Sequence, residues 1–220
     1  SERLPSLLNG NTAHRQHVEQ LCATIMRNTV RISRIVNSMS LLIRSNASDG
    51  FTTAALREIL ADVSELCQAR FANNGVCLTI SDVPADLEIE CVPTQVSQVI
   101  LNLLNNAYDA VLALDDKWVH VGVCDEGDTV LLTVTDTGKG ILDELKPKLF
   151  DAFFTTKCRG RGLGLGLSIS AKIARRHNGL LFLDESAPNT CFALRLPKCQ
   201  KTLAEHALPG GSIRHTKVLA

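Results

Sequence analysis

Between Thr12 and Ser45 the apolar residues Val18, Leu21, Ile25, Ile32, Ile35, Met39 and Leu42 return at three- and four-residue spacing. That is the rhythm of a helical bundle or coiled-coil seam. Thr12, following the turn-like Asn9-Gly10-Asn11, suits an N-cap. Asn28 falls on the seam, where it either fixes register or leaves a wet defect. Ser45-Asn46-Ala47-Ser48-Asp49-Gly50 then interrupts the pattern with turn formers, and a domain boundary is expected there.

After the break the pattern changes character. A second helix is expected from Thr52 to about Asn73, closed by Asn74-Gly75, and Val76 to Ser81 reads as a strand. Pro93 suits the first turn of another helix, along which Val96, Val99, Ile100, Leu103, Leu104 and Ala107 form a broad stripe. Strands are expected over 118–124 and 129–135, around the hairpin signal Glu126-Gly127-Asp128. An irregular stretch from Gly138 to Gly164 leads to a helix over about 165–177. Asn178-Gly179 ends that helix, and strands 180–183 and 191–196 complete the pattern. Helices segregated from hairpin-linked strands indicate an α+β sandwich with helices on one sheet face, preceded by a helical-bundle segment.

Composition narrows the functional classes. The 220 residues are 45% hydrophobic, enough for a real core. Lys+Arg and Asp+Glu are equal at 23 each, so no global field recruits nucleic acid or an anionic membrane surface. The eight cysteines never take the two-residue spacing of zinc or redox pairs, and are expected to be buried thiols in a reducing cytosol. There is no apolar run of about 18 residues, so no membrane contact is expected from this part of the chain.

Three clusters carry candidate chemistry. In Gln98-Val99-Ile100-Leu101-Asn102-Leu103-Leu104-Asn105-Asn106-Ala107-Tyr108-Asp109, the residues Asn102, Asn106 and Asp109 are four and three apart and share a helical face. Neutral amides there can ligate a hard cation already neutralised by phosphates, although for this cluster alone an ordinary polar helix face is the stronger reading. Asp136-Thr137-Gly138-Lys139-Gly140 directly follows an apolar strand. Its carboxylate can accept the exocyclic amine of adenine while the glycines let backbone approach a flat base, and a plain turn also explains the pattern. Gly160-Arg161-Gly162-Leu163-Gly164-Leu165-Gly166-Leu167-Ser168 opens a helix, where bare backbone N–H groups and the helix N-terminus favour phosphate. It is neither the Rossmann fingerprint nor a Walker loop, which would need a Gly-Lys-Ser/Thr.

In this order and spacing the clusters resemble the N, G1 and G2 boxes of the GHKL ATPase and histidine kinase superfamily. Leu149-Phe150-Asp151-Ala152-Phe153-Phe154-Thr155-Thr156-Lys157 is similar to the kinase F box. The resemblance covers roughly Thr52 to Pro197 and implies a Bergerat-type ATP-binding fold. It implies domains at 1–48 (part of a dimerisation hairpin), 49–197 (catalytic) and 198–220 (a linker, leading towards a receiver domain). It further implies that ATP and Mg2+ are bound, with Asn106 on the metal and Asn102 assisting at the phosphates as the catalytic position. Asp109 is the next residue of that face, and departs from the basic residue many kinases carry there. Asp136, Gly138 and Gly140 would hold adenine. Ile141 to Leu163 would form a lid anchored by Phe150, Phe153 and Phe154, and the run Gly162, Leu163, Gly164, Leu165, Gly166 and Leu167 would meet the phosphates.

The same resemblance implies a phosphoacceptor histidine in a helix before Ser1, since no His-Glu followed by Pro-Leu occurs here. His14 and His17 are weak substitutes, and His120, His177, His206 and His215 read as structural or surface residues. The expected function is a two-component histidine kinase: a homodimer in the cytoplasm, from a parent anchored in the inner membrane, that passes phosphate to a response regulator or fused receiver. The alternative is an ATP-driven clamp. Its relatives resemble one another in carrying a water-activating glutamate four residues before the metal asparagine, where this chain has Asn102.

Overall fold

The computed structural model describes residues 50–157 and 163–200, together with Val18 and Leu21. Val18 and Leu21 are helical, while the rest of the expected seam, Asn28, His14, His17, the boundary after residue 48 and the tail beyond residue 200 lie outside the described residues.

The architecture is a two-layer α+β sandwich. The elements are β1 (Thr52–Ala55), α1 (Leu56–Asn73), β2 (Cys77–Ile80), β3 (Glu88–Cys91), α2 (Pro93–Val111), β4 (Trp118–Asp125), β5 (Thr129–Asp136), a 3-10 turn (Lys146–Lys148), α3 (Gly166–Arg176), β6 (Leu180–Leu183) and β7 (Thr190–Pro197). Five strands form the main sheet in the order β2-β4-β5-β7-β6, with only β2 and β4 parallel. β1 and β3 make a separate antiparallel pair.

Alternation sets the inner face. Val130, Leu132 and Val134 of β5 are buried and stand opposite Leu196, Leu194 and Phe192 of β7. On the helices, Leu56, Phe71, Ile100, Leu103 and Leu104 are each at most 2% exposed. Each such side chain contributes about 1.5–3 kcal/mol relative to its exposed state.

Two expectations need correction. The second helix begins at Leu56 rather than Thr52, because Thr52–Ala55 pairs in register with β3, Thr52 opposite Cys91. The β-branched pair Thr52-Thr53 favours that extended path. The Leu56 amide then donates to the Leu87 carbonyl at 3.0 Å, satisfying a helix-start donor that has no side-chain cap. β3 itself was not anticipated. The cysteines are also not uniformly buried: Cys67, Cys91 and Cys191 are, but Cys77, Cys124 and Cys199 are exposed, with Cys77 and Thr79 pointing to the open side of β2.

His177 ties the layers together. It is fully buried at the end of α3, and its Nε2 accepts the Val92 backbone N–H at 3.0 Å. Nδ1 must therefore carry the proton that reaches the Ile173 carbonyl at 2.8 Å, and the ring packs edge-on against Phe51 at 4.9 Å. Burial pushes its pKa below the ordinary value, opposed by the hydrogen bond to Ile173 and assisted by Arg176. The unfolded chain therefore takes up this proton more readily than the folded one. Stability is complete above the unfolded value of about 6.5 and falls as pH drops below it, at up to about 1.4 kcal/mol per unit until the folded value is reached. Urea unfolding between pH 5 and 7 should show this slope in the wild type and lose it in His177→Gln; parallel profiles for the two proteins would refute the assignment.

Candidate functional site

The inward alternation of β5 does not stop at its apolar residues. Val130, Leu132 and Val134 are followed on the same face by Asp136, a carboxylate only 3% exposed. Register places it opposite Thr190, the first residue of β7. Asp136 accepts the Gly138 N–H at 2.7 Å and a hydrogen bond from the Thr190 hydroxyl. Burial nonetheless raises its pKa above the usual carboxylate range, with those two hydrogen bonds pulling the other way. A carboxylate offers about four acceptor positions, so two hydrogen bonds leave capacity for a further donor.

The turn after β5 is moulded on this residue. Gly138 accepts the Thr190 N–H at its carbonyl, 2.9 Å, and the Gly140 N–H reaches the Thr190 hydroxyl at 3.3 Å. A Cβ on Gly138 would lie 2.6 Å from both Asp136 Oδ1 and Thr190 Oγ1, so only glycine fits. Ile141 is half-buried and packs on the core.

On α2 the expected polar face divides into two jobs. Asn102 is committed to α3: its amide donates to Ser170 Oγ at 3.1 Å and, more weakly, to the Gly166 carbonyl at 3.4 Å. Its carbonyl oxygen accepts from Gln98 at 3.1 Å. Asn106 and Asp109 instead meet Lys157, whose ammonium lies 3.2 Å from Asn106 Oδ1 and 2.6 Å from Asp109 Oδ2. Asp109 is also 3.4 Å from Arg70 of α1. Lys157 and Arg70 were not singled out from the sequence as partners of this face; the acid at 109 beside neutral amides was the available signal.

The glycine run begins α3. Gly166 is its first residue, and no side chain caps the N-terminal turn, so backbone N–H groups there stay available to an anion. Leu165 is buried, and Leu163 and Leu167 pack on the core, so these leucines fix the run while its glycines keep it bare. Gly162 lies outside the described residues. Gly164 has φ +65°, and a Cβ there would strike the backbone of Phe153 and Phe154.

The expected aromatic anchors split. Phe150 packs on Phe192 with ring centroids 6.5 Å apart. Phe153, in contrast, is 71% exposed with φ +68°, so it is not a core anchor. Its backbone is held in the left-handed region by its N–H, which donates to the Gly164 carbonyl at 2.8 Å. Farther along, Lys146 joins the 3-10 turn to Asp143 at 2.6 Å and Glu185 at 2.7 Å.

Residues 91–200 match the family described as histidine kinase-, DNA gyrase B-, and HSP90-like ATPase. The chain belongs to this family. It is similar to the sensor histidine kinase ZraS of Klebsiella oxytoca, 32% identical over 180 residues, 81% of this chain and 38% of that kinase. The nucleotide-free catalytic domain of histidine kinase ThkA superposes with a TM-score of 0.61 at 31% identity, covering 67% of this chain and 95% of that one. ThkA in complex with the response regulator protein TrrA gives a TM-score of 0.63 at 24% identity, covering 88% of this chain and 63% of that one. The described sandwich is thus a histidine kinase ATP-binding domain. The chain spans less than two fifths of ZraS and 29% of the NtrY-like kinase of Rickettsia bellii.

Because Gly164 meets backbone on one side, Gly164→Ala should push Phe153 and Phe154 away. Amide hydrogen exchange at Phe153 is expected to accelerate about tenfold or more as its bond to Gly164 is lost, with β5 protection unchanged. Unaltered exchange at Phe153 would show that the Gly164 contact does not hold this segment.

Proposed function

We propose that this chain is the catalytic part of a two-component sensor histidine kinase, transferring the terminal phosphoryl of ATP to a histidine outside its described residues and thence to a response-regulator aspartate. The observation that carries the reading is Asp136, a buried carboxylate with acceptor capacity to spare, fixed by the Gly138 to Gly140 turn and Thr190. It is an acceptor suited to the amine of adenine. ATP supplies the transferable phosphoryl group; the chain's residues orient it and balance its charge.

The donor set also suits Mg2+. Asn106 presents a neutral amide oxygen that accepts from the Lys157 ammonium; it would hold the metal in place of that proton, without adding charge, while Lys157 stays on Asp109. Among the described residues no three His, Cys, Asp or Glu side chains gather into a metal site, so the metal would depend on nucleotide phosphates for its remaining ligands. Asn102 would act by holding the first turn of α3, and its bare amides, against this face. Gly162, Leu163, Gly164, Leu165, Gly166 and Leu167 would follow the phosphates, with Gly138, Gly140 and Ile141 along the base and Asp109 at the metal end.

For the wider assembly the reading expects a homodimer through the 18–42 seam, domains at 1–48, 49–197 and 198–220, and a response regulator or fused receiver as partner. ThkA itself has been solved with response regulator TrrA. The kinase would work in the cytoplasm, where its ATP is, with the parent anchored in the inner membrane; no helix among the described residues is long and apolar enough to cross a membrane. The clamp reading is disfavoured because Asn102 is no carboxylate and is tied to Ser170.

Calorimetric titration with the β,γ-imido analogue of ATP and Mg2+ tests the site. Asp136→Asn should weaken binding about tenfold or more, since an amide donor would face the adenine amine. Asn106→Asp should change the metal dependence, and undiminished binding in both variants would sink the assignment. Hydrolysis in the absence of an acceptor should be slow, because lacking a positioned base typically costs about 100-fold; turnover of several per second would restore the clamp.

A further inference from the structure

Asp109 poses an electrostatic problem for the proposed site. It sits three residues beyond Asn106 on the face that would meet a polyphosphate, and a carboxylate there repels one. The surrounding charges reverse the sign. Arg70 and Lys157 both contact Asp109, giving two cations to one anion.

The two cations are not equivalent. Arg70 is committed elsewhere: one nitrogen donates to Asn105, and the guanidinium lies 3.9 Å over the Tyr108 ring. Among the described residues, the Lys157 ammonium has only Asn106 and Asp109 as partners. An ammonium has three protons, so one remains for another acceptor. Its side chain is 32% exposed, open to a ligand yet partly shielded from water.

Position strengthens the case. Asn102 and Asn106 are four residues, about one helical turn, apart on α2, about 6 Å along the axis. Asn102 joins the first turn of α3 and Asn106 joins Lys157. The bare N-terminus of α3 and the Lys157 ammonium therefore flank one stretch of α2, two positive features along the same line.

We propose that Lys157 is the residue that takes the terminal phosphate of the nucleotide, and that Asp109 is a positioning residue that holds it beside Asn106. The assignment rests on the nucleotide-binding reading above. Asp109 then no longer opposes the anion: it spends its charge on Lys157, and the third proton of the ammonium goes to a phosphate oxygen. An ordinary half-exposed ion pair contributes little and would not distinguish nucleotides.

The test is calorimetry on the whole 220-residue chain with Mg2+, using the β,γ-imido analogue of ATP and, separately, ADP. Lys157→Met should weaken the analogue about tenfold or more while changing ADP by less than about threefold, as loss of one charge-assisted hydrogen bond to the terminal phosphate requires. Lys157→Arg should retain most of the discrimination. Asp109→Ala should lower the analogue-to-ADP ratio, and Asp109→Glu should restore it, a rescue that a merely structural role would not give. Equal losses on both nucleotides with Lys157→Met, or none on either, would overturn the proposal. If the wild type binds both nucleotides and Asp136→Asn weakens both, the parent reading stands whatever Lys157 does; a wild type that binds neither overturns both.

Discussion

The register of β5 against β7 is the constraint on which the site depends. Val130 with Leu196, Leu132 with Leu194 and Val134 with Phe192 are successive inward pairs, and the next is Asp136 with Thr190. The apolar pairs fix the register because a slip of one residue would turn them all outward. A carboxylate is thereby carried into the interior, where its charge is costly and its pKa rises. The turn through Gly138 and Gly140 compensates by directing hydrogen bonds onto Asp136 and Thr190. The acceptor is thus held by the hydrophobic packing of the sheet as much as by its own hydrogen bonds.

The second half of the site hangs on α2. Its apolar stripe, including Val96, Ile100, Leu103 and Leu104, fastens the helix to the core. Polar residues on the other side distribute themselves among three neighbours. Asn102, held by Gln98 of the same helix, reaches α3, Asn106 and Asp109 meet Lys157, and Asn105 takes Arg70 from α1. One helix therefore sets the mutual position of the start of α3 and the face that carries Asn106 and Asp109. Within the irregular stretch after β5, Lys146 is tied to Glu185 and Phe153 to Gly164.

Much of this was legible because it depends on period. The stripe of α2, the strands 118–125 and 129–136 and the spacing of Asn102, Asn106 and Asp109 all follow from local repeats in the sequence. What escaped is non-local. β1 and β3 are four-residue strands that exist through each other, so neither carries a convincing signal alone. Asn102 looked free on a polar face, but Ser170, sixty-eight residues later, takes its amide. The partner of Asp109 was likewise hidden, because Lys157 reaches it from the far side of an irregular stretch. Phe153 was an expected lid anchor through the F-box resemblance, whereas its side chain is 71% exposed and its φ positive. His177 gave no sign that it would bridge Val92 and Ile173.

Nucleotide selectivity probes the central claim most directly, because Asp136 can only accept. The adenine amine is a donor, while guanine carries a carbonyl oxygen at the corresponding position, which would face a buried carboxylate with no proton between them. Equilibrium binding of ATP and GTP to the chain, each with Mg2+, should therefore differ by about tenfold or more in favour of ATP, since a mispaired buried acceptor is costly. Equal affinity for ATP and GTP would contradict the role given to Asp136 and, with it, the account of the site.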